Sequence, residues 1–243
     1  IFYVLSFFLF SIASAEGNEE GWEFTFAPYM FALGMKGEAA TLPPAGSSKI
    51  DLSFSEILDE LDIGIMGMFE ARKGKFALWS DVFYSRISTS VDTPGPFYDG
   101  ADYEQKLGYT SFGVSYRVVE NEWLELDALA GVRFFFLDNE MDLNGGILPA
   151  ENSQYDENWY DPFLSVKTNV ALTEKLYFTG WAGMAVGGES ESSYDFFGGL
   201  GYKFSETYSA VAGYRHLEVD YEQGDFLFDV EMSGLLLGLV IRF

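Results

Sequence analysis

The chain has 243 residues, of which 18% are aromatic and none is cysteine, and its formal net charge is −24. Without cysteine there is no disulfide framework, no thiolate metal site and no cysteine nucleophile. The acidic excess argues against a nucleic-acid-binding protein, because such proteins use Lys and Arg to release counterions from phosphates. The many aromatic side chains need an extensive apolar environment.

The first residues of the chain predict export. Ile1 to Phe10 is almost wholly apolar, and the small residues from Ser11 to Ala15 match a signal-peptidase site. We therefore expect a signal peptide over residues 1–15 and a mature domain over residues 16–243. The apolar run is too short for a membrane-spanning helix, which needs about 20 residues.

Segments in which apolar and polar residues alternate follow in chain order. Each is long enough to cross a membrane as a tilted strand of about 9–11 residues. The segments are Trp22–Met35, Asp62–Arg72, Lys75–Ile87, Tyr103–Val118, Trp123–Leu137, Asp161–Leu172, Leu176–Val186, Tyr194–Phe204, Tyr208–Tyr221 and Phe226–Phe243. The pattern predicts an all-β fold, an antiparallel up-and-down transmembrane β-barrel of about ten strands, with eight as the alternative.

The connections between these segments alternate in length. Short turns are expected at Lys73-Gly74, Glu120-Asn121-Glu122, Thr173-Glu174-Lys175 and Ser205-Glu206-Thr207, and longer polar links at Gly34–Leu61, Ser88–Asp102 and Asp138–Tyr160. Tight turns at one rim and long loops at the other are typical of outer-membrane barrels. The short turns are therefore expected to be periplasmic and the long loops external.

One of the long links contains a helical pattern. Phe54, Ile57, Leu58 and Leu61 have the spacing of one helix face, and Ser53 precedes them as a helix-capping residue. This pattern predicts a short amphipathic helix that either caps the lumen or rests on the membrane surface.

Charged residues alternate with apolar ones within the predicted strands. In the fifth segment Glu125, Asp127 and Arg133 share one face, and the opposite face is apolar. A water-soluble barrel would place the apolar face inside, whereas a membrane barrel would place the charges inside. We predict a lumen ion-pair network, because unpaired buried charges are costly. Its members are Asp81, Glu125, Asp127, Arg133 and Arg215.

The end of the chain alternates apolar residues on one face and finishes with an aromatic residue. It resembles the C-terminal assembly signal of Gram-negative outer-membrane proteins, with Leu239, Ile241 and Phe243 as the residues read by the barrel-assembly machinery. The mature chain resembles the OmpA/OmpX-like class of small monomeric outer-membrane barrels. The resemblance implies a monomer in the bacterial outer membrane, in contact with outer-membrane lipids and lipopolysaccharide. It carries over no cofactor and no catalytic or binding motif.

The only histidine, His216, precedes Glu218 and Asp220 at strand spacing. Outer-membrane proteases and lipid-modifying barrels, which this chain resembles in architecture, place catalytic groups near the outer rim, but the match to these residues is poor. Alternation places His216 on the outer face of its strand, where an amphipathic ring suits the membrane interface. The sequence itself places no serine beside it, so we assign no catalytic residues.

A second pattern lies in the third long link. Glu140, Asp142, Asn144 and Glu151 occupy ligand positions of a calcium-loop pattern, with Gly145 at the turn. Carboxylates that are simply solvated are the favoured alternative in a chain this acidic. The metal-site assignment is therefore the weaker interpretation of these residues.

The sequence favours a non-enzymatic outer-membrane protein with a structural or surface-interaction role. A ten-stranded barrel is barely wider than the eight-stranded kind that side chains fill, and open porins use about 16–18 strands. A narrow channel for ions or small solutes is the alternative, and an enzyme acting on lipid or peptide comes third.

Overall fold

The computed structural model describes residues 21–42, 46–92 and 97–243, so the predicted signal peptide lies outside the described residues. Eleven strands and one helix are described. The elements are β1 (Glu23–Ala40), β2 (Ser48–Leu52), α1 (Phe54–Asp59), β3 (Leu61–Lys73), β4 (Phe76–Val91), β5 (Tyr98–Glu120), β6 (Leu124–Gly145), β7 (Glu151–Ala171), β8 (Leu176–Ala185), β9 (Ser192–Lys203), β10 (Tyr208–Gln223) and β11 (Phe226–Arg242).

The strands form a closed antiparallel barrel. Each barrel strand pairs with the next along the chain, and β11 pairs back to β1, where Thr25 lies opposite Arg242. Phe24 and Phe243 exchange two backbone hydrogen bonds of 2.8 and 2.9 Å. The barrel therefore has ten strands in the described chain, and β2 is an additional strand on the outer end of β1. The predicted up-and-down barrel is confirmed.

The rim at which Phe24 meets Phe243, called the inner rim here, carries tight turns at the predicted positions. Gly74 adopts a φ of +56° in the β3–β4 turn, a conformation that favours glycine. Side chains close the other turns: the Asn121 Oδ1 atom accepts the N–H of Leu124 at 2.9 Å, and the Thr173 Oγ1 atom accepts the N–H of Leu176 at 2.9 Å. These local bonds replace ladder bonds where the chain reverses.

The predicted long links at the other rim, the outer rim, are largely strand. β6 continues to Gly145 and β7 begins at Glu151, so only residues 146–150 connect them. The link predicted over Asp138–Tyr160 is thus an extended hairpin, which corrects its assignment as a loop. The sequence signal was misleading because the outward residues change from apolar to acidic there, although the two strands keep the same register.

The predicted helix is confirmed as α1. The Ser53 hydroxyl accepts the N–H of Glu56, and the Glu56 carboxylate accepts the backbone N–H of Ser53 at 2.8 Å, which is a capping box. The Ser53 hydroxyl also donates to the Glu56 carboxylate at 2.6 Å, and this bond, together with the one from the Ser53 backbone, lowers the pKa of Glu56. Ile57 packs against the core of the barrel. Among the described residues, no helix is long and apolar enough to cross a membrane.

Exposed apolar side chains surround the inner part of the barrel wall. This region is called the apolar belt, and its outer boundary on β10 and β11 lies at Tyr214 and Leu235, which are 55% and 57% exposed. Members on other strands include Phe26, Met30, Ile65, Phe69, Leu78, Phe112, Val114, Phe134, Leu164, Val166 and Leu200. The belt fits the lipid-facing surface of a membrane barrel.

Candidate functional site in and above the barrel lumen

The inward residues change character along each long strand. On β6, Asp127 and Arg133 point into the inner half of the lumen, whereas Phe135 and Leu137 point into the outer half. The lumen therefore consists of a polar vestibule, a central ion-pair layer and an aromatic core, in order from the inner rim to the outer rim.

The vestibule is a cavity of about 1420 Å³ that reaches the inner rim. Its apolar wall includes Trp79, Phe163 and Trp181, and its charged lining includes Glu70 and Lys167. Side chains therefore do not fill this half of the lumen, which has room for water and small solutes.

One group of charges lines the vestibule wall. Asp127 accepts hydrogen bonds from Arg72, at 2.7 Å, and from Arg117. Arg72 also binds Glu70 at 2.9 Å. Glu125 lies 3.4 Å from Arg117, at the more solvent-exposed edge of the group. Each carboxylate in this group therefore has a cationic partner on its own or a neighbouring strand.

The second group, called the ion-pair layer, consists of Asp81, Arg133, Asp195 and Arg215. Arg215 is fully buried and lies 2.9 Å from Asp81 and 2.7 Å from Asp195. Arg133 lies 2.6 Å from the same Asp195. Four strands are thereby cross-linked through the middle of the barrel.

The five predicted network residues thus belong to two groups. Asp81, Arg133 and Arg215 meet in the ion-pair layer, whereas Asp127 and Glu125 pair with Arg117 in the vestibule. Sequence reasoning missed Asp195, which holds Arg133 and Arg215 together. Its inward position could have been found, because it alternates with the apolar outward residues of β9.

Two tyrosines complete the ion-pair layer. The hydroxyls of Tyr29 and Tyr109 donate to the Asp81 carboxylate at 2.8 and 3.1 Å. The guanidinium group of Arg133 lies over the ring of Tyr109, 4.8 Å from its centroid. Such complete pairing is what makes buried charges tolerable in a region of low dielectric. The layer acts as a structural cross-link and leaves no free charged group to select ions.

Stacked rings fill the outer half of the lumen. The Trp159 ring lies between Phe135 and Tyr221, with centroids 5.0 and 4.4 Å away. Further buried apolar residues belong to the same cluster, namely Phe31, Leu33, Met35, Phe83, Leu107, Leu137, Leu217, Val219, Phe226, Phe228, Val230 and Met232. This aromatic core separates the vestibule from the outer rim in the described part of the chain.

Above the belt, β7 has an unpaired edge. β8 pairs with β7 only from Phe163 inward, and the last contacts between β7 and the β8–β9 loop link Tyr160 to Glu189. Residues 151–159, called the open edge of β7, pair with β6 alone among the described strands. The N–H and the C=O of Tyr160 both bind Glu189, on the side of β7 that faces away from β6. Backbone groups alternate in direction along a regular strand, so the other even-numbered residues of the open edge present their N–H and C=O groups to the same side.

The proposed calcium residues lie on the same hairpin. The Asn152 amide donates to Glu140 at 3.0 Å and to Asp142 at 2.7 Å. Asn144 instead donates to Asp102, and Glu151 accepts from Tyr98. In the described ranges, no three His, Cys, Asp or Glu side chains are grouped to hold a metal ion. The calcium-loop conformation is not formed, because these residues are held in paired strands.

His216 lies on the outer wall as alternation predicts, next to Phe196 with ring centroids 6.3 Å apart. Its neighbour was not foreseen: the Ser233 hydroxyl lies 2.7 Å from the imidazole. The two residues are 17 positions apart, and only the pairing of β10 with β11 brings them together. The sequence by itself placed no serine beside His216, and the pairing of the two strands does so.

The predicted assembly residues Leu239 and Ile241 lie on β11, and Phe243 follows its end. Their outward positions place them on the belt at the closing seam with β1. Whether the assembly machinery reads them stays a prediction.

No protein-family model and no curated protein matches the sequence. Among solved structures, the outer membrane protease OmpT from Escherichia coli superposes with a TM-score of 0.60 at 9% identity, covering 95% of this chain and 99% of that one. Ail of Yersinia pestis matches with a TM-score of 0.38 at 10% identity, covering 92% and 99%. Neisserial surface protein A matches with a TM-score of 0.37 at 14% identity, covering 92% and 100%.

At these identities the likeness concerns the fold alone. A closed ten-stranded antiparallel barrel with an apolar belt is the fold of bacterial outer-membrane proteins. The protein therefore has the fold of a bacterial outer-membrane β-barrel, and its chain covers nearly the whole of the OmpT barrel.

Proposed function

We propose that the protein is a sealed outer-membrane barrel with a surface-interaction role, in which the open edge of β7 binds an extended cationic segment of a partner. The observation that supports this role is a strand edge held above the apolar belt with no described strand beside it. Its unpaired N–H and C=O groups have the spacing with which an added peptide strand pairs.

The charge around the open edge favours a basic partner. Asp156 lies on the edge, Asp138, Glu140 and Asp142 face outward on the adjoining strand, and Glu189 ends the paired region. A second copy of this chain would bring the same charges and repel them, since the net charge is −24. These carboxylates would attract a Lys-rich segment at long range and pair with its lysines once it is bound.

The filled outer half of the lumen supports a binding role over a channel. An ion would have to pass both the paired charges at Arg215 and the ring stack at Trp159. We expect little or no steady conductance of the refolded protein in planar bilayers. A stable ohmic conductance would favour the narrow channel instead.

The binding role is tested with an extended Lys-rich peptide and the refolded barrel. The Asn158→Pro variant removes one edge N–H that makes no ladder bond, so the fold should tolerate it. Asn158→Ala is the matched control, because it loses the same side-chain amide but keeps the N–H. We expect Asn158→Pro to bind the peptide more weakly than the wild type, and Asn158→Ala to bind it equally well. A peptide with alternate backbone amides methylated should also bind the wild type more weakly. Equal binding by all three proteins would contradict the edge-pairing role.

A further inference from the structure

A serine, a histidine and two glutamates meet on the outer wall where β10 pairs with β11. Nδ1 of His216 lies 2.7 Å from the Ser233 hydroxyl, and Nε2 lies 3.6 Å from the Glu218 carboxylate. The Ser233 hydroxyl also donates to the Glu231 carboxylate at 3.0 Å, and this carboxylate lies 3.4 Å from Nδ1. His216 and Ser233 are direct cross-strand partners, so the ladder fixes their separation.

The register of the two strands gives the depth of this group. On the same outer face, the adjacent pair toward the inner rim is Tyr214 opposite Leu235, which marks the boundary of the apolar belt. The adjacent pair toward the outer rim is Glu218 opposite Glu231, both of which are partly exposed. The Ser233 hydroxyl therefore lies where hydrocarbon gives way to the polar interfacial region of the outer leaflet.

The pair is accessible from the membrane. The His216 side chain is 30% exposed. On β1 the cross-strand neighbour of Ser233 is Gly34, which has no side chain to cover the hydroxyl. Lys36 lies opposite Glu231 and diagonally from Ser233. Its side chain is 69% exposed, and its ammonium lies 3.6 Å from the exposed Asp51 carboxylate. Diagonal neighbours across strands are within reach of a long side chain.

We propose that Ser233, His216 and Glu218 form a serine hydrolase site whose substrate is the acyl ester of a lipid in the outer leaflet. An ester bond at the interface would lie level with the hydroxyl, with its acyl chain against the apolar belt. This activity is independent of peptide binding at the open edge of β7, which belongs to a different part of the wall.

The geometry assigns a role to each group. Nδ1 of His216 takes the Ser233 proton while the hydroxyl oxygen bonds to the ester carbonyl carbon. The imidazolium returns that proton to the leaving alcohol as the carbon–oxygen ester bond breaks. Water, deprotonated by the same imidazole, then attacks the acyl-serine, and the imidazolium returns this proton to the Ser233 oxygen as the fatty acid leaves. Glu218 stabilises the imidazolium from the Nε2 side, and the Lys36 ammonium supports the carbonyl oxygen as it becomes negative.

The protein offers a matched control for Ser233. Ser88 also donates to a carboxylate, Asp62, at 2.6 Å, and it has no histidine beside it because His216 is the only one in the chain. The refolded barrel in phospholipid vesicles is treated with a fluorophosphonate probe, and the labelled serine is located by mass spectrometry. We expect label on Ser233 and none on Ser88.

Variants and a second readout decide the outcome. His216→Asn should reduce the labelling rate severalfold with the barrel intact, and Ser233→Ala should abolish both labelling and fatty-acid release from the vesicles. Ser88→Ala should change neither. Labelling of Ser233 no faster than of Ser88, or at an unchanged rate in His216→Asn, would overturn the hydrolase site. Labelling without fatty-acid release would overturn the assignment of lipid esters as substrates.

Discussion

The inner and outer halves of the lumen are built from the same strands but have opposite chemistry. On β6 the inward residues change from Asp127 and Arg133 to Phe135 and Leu137, while the outward residues change from Phe134 to Asp138. Lipid around the inner half requires an apolar outside and permits a polar inside. Water around the outer half requires a polar outer face and an apolar interior, as in a soluble protein. Alternation thus defines the strand, and the surroundings define which face is polar.

The largest effect is expected from Arg215→Ala in the ion-pair layer. The substitution leaves Asp81 and Asp195 buried, and Asp81 would keep only the two tyrosine hydroxyls. Removing one partner of a buried ion pair costs about 3–5 kcal/mol, and we expect the upper end because two carboxylates are affected. Urea unfolding of the refolded barrel in micelles measures the loss.

Arg133 and Arg242 are the controls for that substitution. Arg133→Ala should cost less, since Asp195 keeps its bonds to Arg215. Arg242→Ala should cost least, because among the described residues the Arg242 side chain contacts just the Ser209 hydroxyl and the face of Tyr177. Equal losses in all three variants would mean that the ion-pair layer is as well solvated as the vestibule rim.

The next effect compares tryptophans of the two halves. Trp159 is 2% exposed within the aromatic core, whereas Trp79 lines the vestibule. Trp159→Ala should destabilise the barrel by about 3 kcal/mol, the lower end of the range for buried aromatic truncations. Trp79→Ala should cost clearly less, because water can occupy the vacated volume. Similar unfolding midpoints for both variants would show that the outer half is not close-packed.

The sequence was sufficient to predict most of the barrel, because alternation and turn chemistry are local. Glu125, Asp127 and Arg133 share one face of β6 as predicted, and a strand is present at each of the ten predicted segments, although several strands are longer than predicted. The sequence analysis missed the continuation of β6 and β7 toward the outer rim. Asp138, Glu140 and Asp142 face outward there, and an acidic outer face was interpreted as a loop because an apolar outer face was expected of every strand. Contacts that depend on register were also missed: Asp195 with Arg215, and Ser233 with His216, are set by strand pairing and barrel closure.

A smaller effect concerns the orientation of the two rims. Ile147, in the 146–150 connection, is 70% exposed, whereas the Asn121 turn is at the opposite rim. A protease added to intact cells should cut within residues 146–150 and leave the Asn121 turn intact. Because the flanking residues are paired strands, the cuts should not spread through Asp138–Tyr160. Cleavage at Asn121 and not at Ile147 would reverse the assignment of the outer rim.

The smallest effect concerns α1, which lies outside the barrel strands and is held by its capping box. Hydrogen bonds from Ser53 lower the pKa of Glu56 below its ordinary value of 4.5. A lowered carboxyl pKa stabilises the folded helix fully above pH 4.5, and this contribution is lost as the pH falls through the folded-state value. Amide-exchange protection of residues 54–59 should therefore fall below about pH 4 while the barrel strands stay protected. Ser53→Ala should reduce that protection at neutral pH and remove most of its pH dependence, whereas Ser55→Ala should leave the pH dependence in place. A helix equally protected at pH 3 and pH 7 would mean that its packing through Ile57, and not the cap, holds it.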